Sequence, residues 1–169
     1  MPKPSSVGIL DSNDLMPTNA DGTLPWRQNS DLYYLSGIDQ EESTRLLFPD
    51  ADDALDREIL FIKETSEHIA IWEGEKLSKQ RATELSGISN IQWNCQFDLV
   101  LERLTKQAEH IYLNANEHPR ADMTVQTRDV RLLKKCQQDY PAHQFERLAP
   151  LMHQLRIIKH PLEIKMIQK

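Results

Sequence analysis

Four consecutive large apolar residues, Ile59 to Ile62, constrain this chain more than any other feature. A strand exposed on one face alternates apolar and polar side chains, so an unbroken run of this kind fits a strand covered on both faces. A sheet with helices packed on each side provides such a place. The expected fold class is therefore α/β, a mixed β-sheet flanked by helices. Val7–Leu10 and Arg45–Phe48, the latter closed by Pro49, read as strands beside the Glu58–Ile62 strand, with Ile88–Trp93 and Ile111–Leu113 as two more. Helical patterns alternate with them. Ser78 can cap a helix that Gly87 ends, with Leu85 as its inward residue. Phe97, Val100, Leu101, Leu104 and Ala108 follow the three-and-four spacing of one helix face, with Asn94 as the expected N-cap. Leu132, Leu133, Cys136 and Tyr140 mark another helix before Pro141 stops it. Met152, Leu155 and Ile158 line a penultimate helix, and Pro161 and Glu163 open a last one whose Ile164 and Ile167 still require a partner.

A chain of 169 residues suits one domain able to bury a core. Its 26 acidic and 20 basic side chains leave a net charge of -6, which repels nucleic acid and anionic membrane surfaces. No apolar run approaches the roughly 20 residues of a membrane span, and MPKPSSVGIL lacks a signal-peptide pattern. Cys95 and Cys136, outside any CxxC, suit a reducing compartment, and the chain reads as cytoplasmic. Chemistry-bearing motifs are scarce. The six histidines are scattered without HExxH spacing, no GxSxG elbow occurs, and the five glycines form no phosphate cradle. Asp50–Asp56 carries four aspartates but lacks the central glycine and distal glutamate of a calcium loop, so a solvated hairpin connection is expected. Glu117, His118, Pro119 and Arg120 read as a loop after a strand rather than an acid–base site. No catalytic residue and no metal ligand is assigned to this chain.

The segment PWRQNSDLYYLSG, Pro25 to Gly37, joins a polar turn at Arg27–Ser30 to a Leu32–Leu35 stretch whose aromatics favour a strand ended by Gly37. It resembles the signature near the start of aminopeptidase P, the Xaa-Pro aminopeptidase, whose N-terminal domain is shared in outline with prolidase and creatinase. IWEGEKL (Ile71–Leu77) is similar to the family's tryptophan-glycine segment, and LMHQLRIIKHPLEIKMI (Leu151–Ile167) to its helical entry into the catalytic domain. The three blocks fall in family order. The resemblance implies a ribonuclease H-like α/β fold of the creatinase/prolidase N-terminal type over residues 1–158, with 159–169 beginning a linker helix to a C-terminal metallopeptidase domain. It also implies trimming at both ends, since relatives carry an amphipathic helix before the strand corresponding to Val7–Leu10.

For the parent protein, the resemblance implies removal of an N-terminal residue that precedes proline. Two divalent ions, manganese by family habit, would act in the C-terminal domain, leaving this fragment without a cofactor of its own and inactive alone. The implied partners are that catalytic domain, further copies of the chain in a homo-oligomer, and a peptide with proline in second position. Trp72 has two readings: an indole packed in the core or rim, or a flat surface reaching the mouth of a neighbouring subunit's active site. Asp21 is either an exposed loop aspartate or a salt-bridge partner at the same rim. Arg27 with Asp31 is expected to clamp the turn, Gly37 to end the strand, and Gly74 to give Trp72 a flexible neighbour. A prolidase N-terminal domain shares this layout. A peptidase-like binding module without metal ligands is an alternative of another class, compatible with the acidic balance.

Overall fold

The computed structural model describes residues 2–66, 71, 74–118, 120 and 125–168. Its centre is a six-stranded mixed sheet built from β1 (Ser6–Asp11), β2 (Thr44–Leu47), β3 (Glu58–Ile62), β4 (Ile91–Trp93), β5 (His110–Leu113) and β6 (Gln144–Arg147). The strand order is β4-β3-β2-β1-β5-β6. β2 runs antiparallel to both neighbours, with Asp11 opposite Thr44 and Leu47 opposite Glu58. The pairs β3–β4, β1–β5 and β5–β6 are parallel. The Asp50–Asp56 segment therefore closes a β2–β3 hairpin, as its composition predicts. Its last aspartate is not solvated: Asp56 is buried and takes the Arg103 guanidinium, Nη2 to Oδ1 at 2.8 Å, which holds its carboxyl below the usual range.

The described residues form six helices, α1 (Ser30–Ser36), α2 (Lys79–Ser86), α3 (Phe97–Thr105), α4 (Arg128–Asp139), α5 (Ala149–Ile157) and α6 (Pro161–Ile167), of which the first five pack on the sheet and α6 buries no residue. One face packs Val7, Ile9, Leu46, Ile59, Phe61 and Ile111 against Val100, Leu101 and Leu104 of α3 and Cys136 of α4. Phe61 and Phe97 meet edge-to-face at 5.2 Å, a geometry aromatic quadrupoles favour. The opposite face is shared. Leu60 and Ile62 pack with Ala82 of α2 and with Ile38, while Leu10 and Tyr112 pack with Leu32 of α1 and Met152 of α5. Ile59 to Ile62 are all fully buried, so the run that defined the fold class is the doubly covered strand.

Four local expectations are corrected. Leu32–Leu35 is not a strand but the body of α1, because Asn29 Oδ1 accepts from the Asp31 amide at 2.9 Å and Gly37 adopts φ 67° to receive the helix end. Leu85 points outward at 46% exposure, and Ala82 is the α2 residue that meets the core. Asn94 opens a 3-10 turn instead of capping α3, its side chain donating to the Glu42 carbonyl. Ile158 and Leu155 do not line a core: Ile158 is 82% exposed and Leu155 half exposed. Ser78 does cap α2, accepting from the Arg81 amide at 3.1 Å, with Gly87 left-handed at the other end.

Candidate functional site

Polar side chains converge at the carboxyl end of β1, where it parallels β5. In open α/β sheets that end of the strands is the usual place for a ligand. Here the chain fills it with its own groups. Asp11, last in β1 and 3% exposed, accepts from Thr44 Oγ1 at 2.6 Å. The Arg128 guanidinium from the first turn of α4 lies over both, donating to Ser12 Oγ at 3.1 Å and Thr44 Oγ1 at 3.2 Å, with Nε 3.5 Å from Asp11 Oδ1. Burial pushes the Asp11 carboxyl up while Arg128 pulls it back. Asp129, next in α4, is pushed up to about 7, first by burial and then by the negative charge of Asp11. Arg131 pairs with Asp14 at 2.6 Å on the outer side. These bonds tie α4 to β1 and β2. They occupy the cationic and hydroxyl groups that a ligand would otherwise use.

A second feature is a groove of about 720 Å³ on the α1–α5 face, floored by Gly8, Leu10, Leu47 and Tyr112 and walled by Leu151 and Leu155. Its lining is mainly apolar, and its two charged groups, Lys3 and Asp50, are engaged by Glu146 and by the Ser5 amide. Among the described residues no group of three or more His, Cys, Asp or Glu is placed to hold a metal ion.

The residues singled out in the sequence are dispersed. Asp21 lies exposed near the tip of a loop in which the Thr18 amide donates to the Gly22 carbonyl at 2.9 Å and the Leu24 amide to the Met16 carbonyl at 2.9 Å. Trp72 lies outside the described residues. Gly74 has φ 80°, a conformation suited to glycine, with open space where a Cβ would stand. The expected Arg27–Asp31 clamp is replaced by another: Asp31 binds Arg156 through Oδ1 and accepts from Asn114 Nδ2 at 3.0 Å through Oδ2. Arg27 is exposed, and its carbonyl accepts from Asn13 Nδ2 at 2.9 Å. Glu117 in the weighed acid–base segment is taken by Arg147, whose Nε donates at 2.8 Å and which holds the carboxyl down. Asp11, Arg128, Asp129 and Arg156 were not foreseen. The one available signal was an aspartate ending the first apolar run.

Fold and site together define a class: a mixed-sheet α/β domain whose polar groups at the strand ends serve its own architecture. The chain belongs to the family of the aminopeptidase P N-terminal domain, whose model it matches over residues 1–112. It is 26% identical over 169 residues to the Xaa-Pro aminopeptidase of Escherichia coli strain K12, covering 99% of this chain and 38% of that protein. It is 25% identical over 167 residues to the Xaa-Pro aminopeptidase of Haemophilus influenzae, covering 99% of this chain and 36% of that one. A Bacillus anthracis structure described as an aminopeptidase P superposes with TM-score 0.86 at 24% identity, over 98% of this chain and 39% of its own. Pseudomonas aeruginosa aminopeptidase PepP gives 0.76 at 24%, over 96% and 37%. The chain thus spans under two fifths of the length of these relatives. Among the described residues no helix is long and apolar enough to cross a membrane.

Proposed function

We propose that this chain is the non-catalytic N-terminal domain of an Xaa-Pro aminopeptidase, shaping access to chemistry performed in a separate C-terminal domain. One observation carries this reading: nearly the whole chain aligns with proteins named Xaa-Pro aminopeptidase, yet accounts for only 38% of the first and 36% of the second. The donor set agrees with it. The carboxylates of Asp11 and Asp14 at the end of β1 are engaged by Arg128, Arg131 and Thr44. The two divalent ions of the reading, manganese by expectation, belong to the other domain, and no step is assigned to residues here. Residues 159–169 begin the connection to it.

Trp72 and Asp21 are the finer part of the proposal. Trp72, two residues before left-handed Gly74 in the sequence, and Asp21, near the exposed tip of the 16–24 loop, would border the entrance used by peptides in a homo-oligomer. The test assays the intact protein with manganese on an Xaa-Pro tripeptide and on longer Xaa-Pro peptides. Turnover of both is expected, with Trp72→Ala altering the handling of longer peptides at unchanged metal content. An intact protein that cleaves neither would end the reading, as would hydrolysis by residues 1–169 alone.

A further inference from the structure

The joint between α5 and α6 is held by polar contacts rather than by apolar burial. Ile157 and Ile158, the apolar residues at the joint, are 75% and 82% exposed. Contacts from α1 replace that burial. Ser30, Asp31 and Tyr34 stand at i, i+1 and i+4 and so share one flank of the helix. All three meet the same guanidinium, that of Arg156 in the last turn of α5. Arg156 Nη1 donates to Asp31 Oδ1 and, at 3.2 Å, to Ser30 Oγ, and its guanidinium carbon lies 5.4 Å from the Tyr34 ring centroid. Beyond the joint, the Tyr34 hydroxyl donates to Glu163 Oε2 at 3.4 Å. That same oxygen accepts from the His160 amide at 2.7 Å, closing the N-terminal cap of α6. Asn114, just after β5, holds the other oxygen of Asp31 and so ties this carboxylate to the sheet.

We propose that this flank of α1 is a latch that fixes the direction in which α6 leaves the domain, with Asp31 as the positioning residue acting through Arg156. The geometry is suited to that task. Charge-assisted hydrogen bonds are directional and the guanidinium is planar, so gripping it on its carboxylate side and under its ring face sets orientation as well as proximity. Asp31 is 18% and Arg156 37% exposed, which spares the pair the full solvent screening of a surface bridge. The latch deepens the peptidase reading, which it needs only for its consequence on peptides: a domain that shapes an entrance must be held at a fixed angle to the polypeptide beyond α6.

Hydrogen–deuterium exchange on the intact protein tests the latch itself. Asp31→Asn and Arg156→Gln should each speed amide exchange across residues 158–168 by about tenfold, with β1 and β3 unchanged, and the double variant should be no faster than either single one. Arg156→Lys, which keeps the charge, should restore part of the protection. In the peptidase assay the same two variants should raise KM for longer Xaa-Pro peptides severalfold at nearly constant kcat and unchanged melting temperature. Unchanged exchange in both single variants, fully additive effects, or an unmoved KM in an active enzyme would overturn the proposal. If the wild-type protein cleaves no Xaa-Pro peptide, the peptidase reading fails, and the exchange result alone decides the latch.

Discussion

Replacing Asp129 with asparagine should stabilise this domain by an amount that grows as pH rises from about 4 to 7, reaches its full size above neutral pH and vanishes below about pH 4. Asp129 sits in the first turn of α4, where its carboxyl is pushed from 3.8 to about 7. Burial is the first cause and Asp11 the second, with Asp14 and Asp31 adding to the push and Arg128 opposing it. The folded value lies above the unfolded one. The folded chain therefore keeps a proton that the unfolded chain has already released, and this group's contribution to stability is complete below about pH 4, declines as pH rises through 7, and is exhausted by about pH 8. A change of about three pH units at 1.36 kcal/mol each sets a ceiling near 4 kcal/mol. An ionised carboxylate in a first helical turn recovers about 0.3–1 kcal/mol from the helix N-terminus. About 3 kcal/mol remains at pH 8. Asparagine cannot ionise, so Asp129→Asn should gain roughly that much there, an upward shift of about 1.5 M in the urea midpoint for a slope of about 2 kcal/mol/M. Circular-dichroism melts in urea at pH 5, 6, 7 and 8 would follow the difference. Parallel wild-type and variant profiles, or a variant less stable at pH 8, would refute the account of a carboxylate penalised by burial beside Asp11.

Leu104 is fully buried between the sheet and α3, so Leu104→Ala should cost about 2–5 kcal/mol, read as a lowered urea midpoint at unchanged slope. Gly37→Ala should cost about 1–2 kcal/mol in the same assay, because φ 67° strains any residue with a Cβ, whereas a strand end at this position would have tolerated alanine. Alkylation under native conditions should label exposed Cys95 and spare Cys136, which is buried with its thiol pushed up to about 12; mass spectrometry should find one adduct when folded and two in urea.

The sheet was legible wherever burial acts on consecutive residues. Val7–Leu10, Arg45–Phe48, Glu58–Ile62 and Ile111–Leu113 all lie on strands or within a residue of them, because a doubly covered strand gathers apolar side chains into a run, broken in β2 by Arg45, which pairs with Glu58 at the start of β3. α1 was misread because Leu32, Tyr33, Tyr34 and Leu35 carry strong strand propensity, and propensity is a weak prior beside capping and packing. Its helical signals were present in Asn29, Asp31 and Gly37, and the buried residues Leu32 and Ser36 repeat at i and i+4 while both tyrosines face outward. β6 was missed because an edge strand reading Gln144-Phe145-Glu146-Arg147 has one large apolar residue and none buried. The cluster around Asp11 and Arg128 and the latch were illegible for another reason. Asp11 meets Arg128 and Asp31 meets Arg156 across more than a hundred residues, and no local pattern encodes such a pairing.

The two sets of polar contacts divide labour with the apolar surface of the terminal helix. Seven residues form α6, too few for stable helicity in isolation, and Leu162, Met166 and Ile167 on it are each more than 60% exposed. What keeps it helical and oriented is therefore its cap, with Pro161 pre-set for the first turn and Glu163 bonded both to the His160 amide and to Tyr34. Apolar burial is strong but non-directional, so a partner surface meeting those side chains would add affinity without choosing an angle. The angle must come from bonds with defined geometry, and the polar flank of α1 supplies them. The aromatic-and-polar segment that first marked this chain as a relative of aminopeptidase P thus has a physical reason for its composition. Asn29 and Gly37 bound a short helix, Leu32 anchors it in the core, and Ser30, Asp31 and Tyr34 are left free to hold the joint through which the chain leaves.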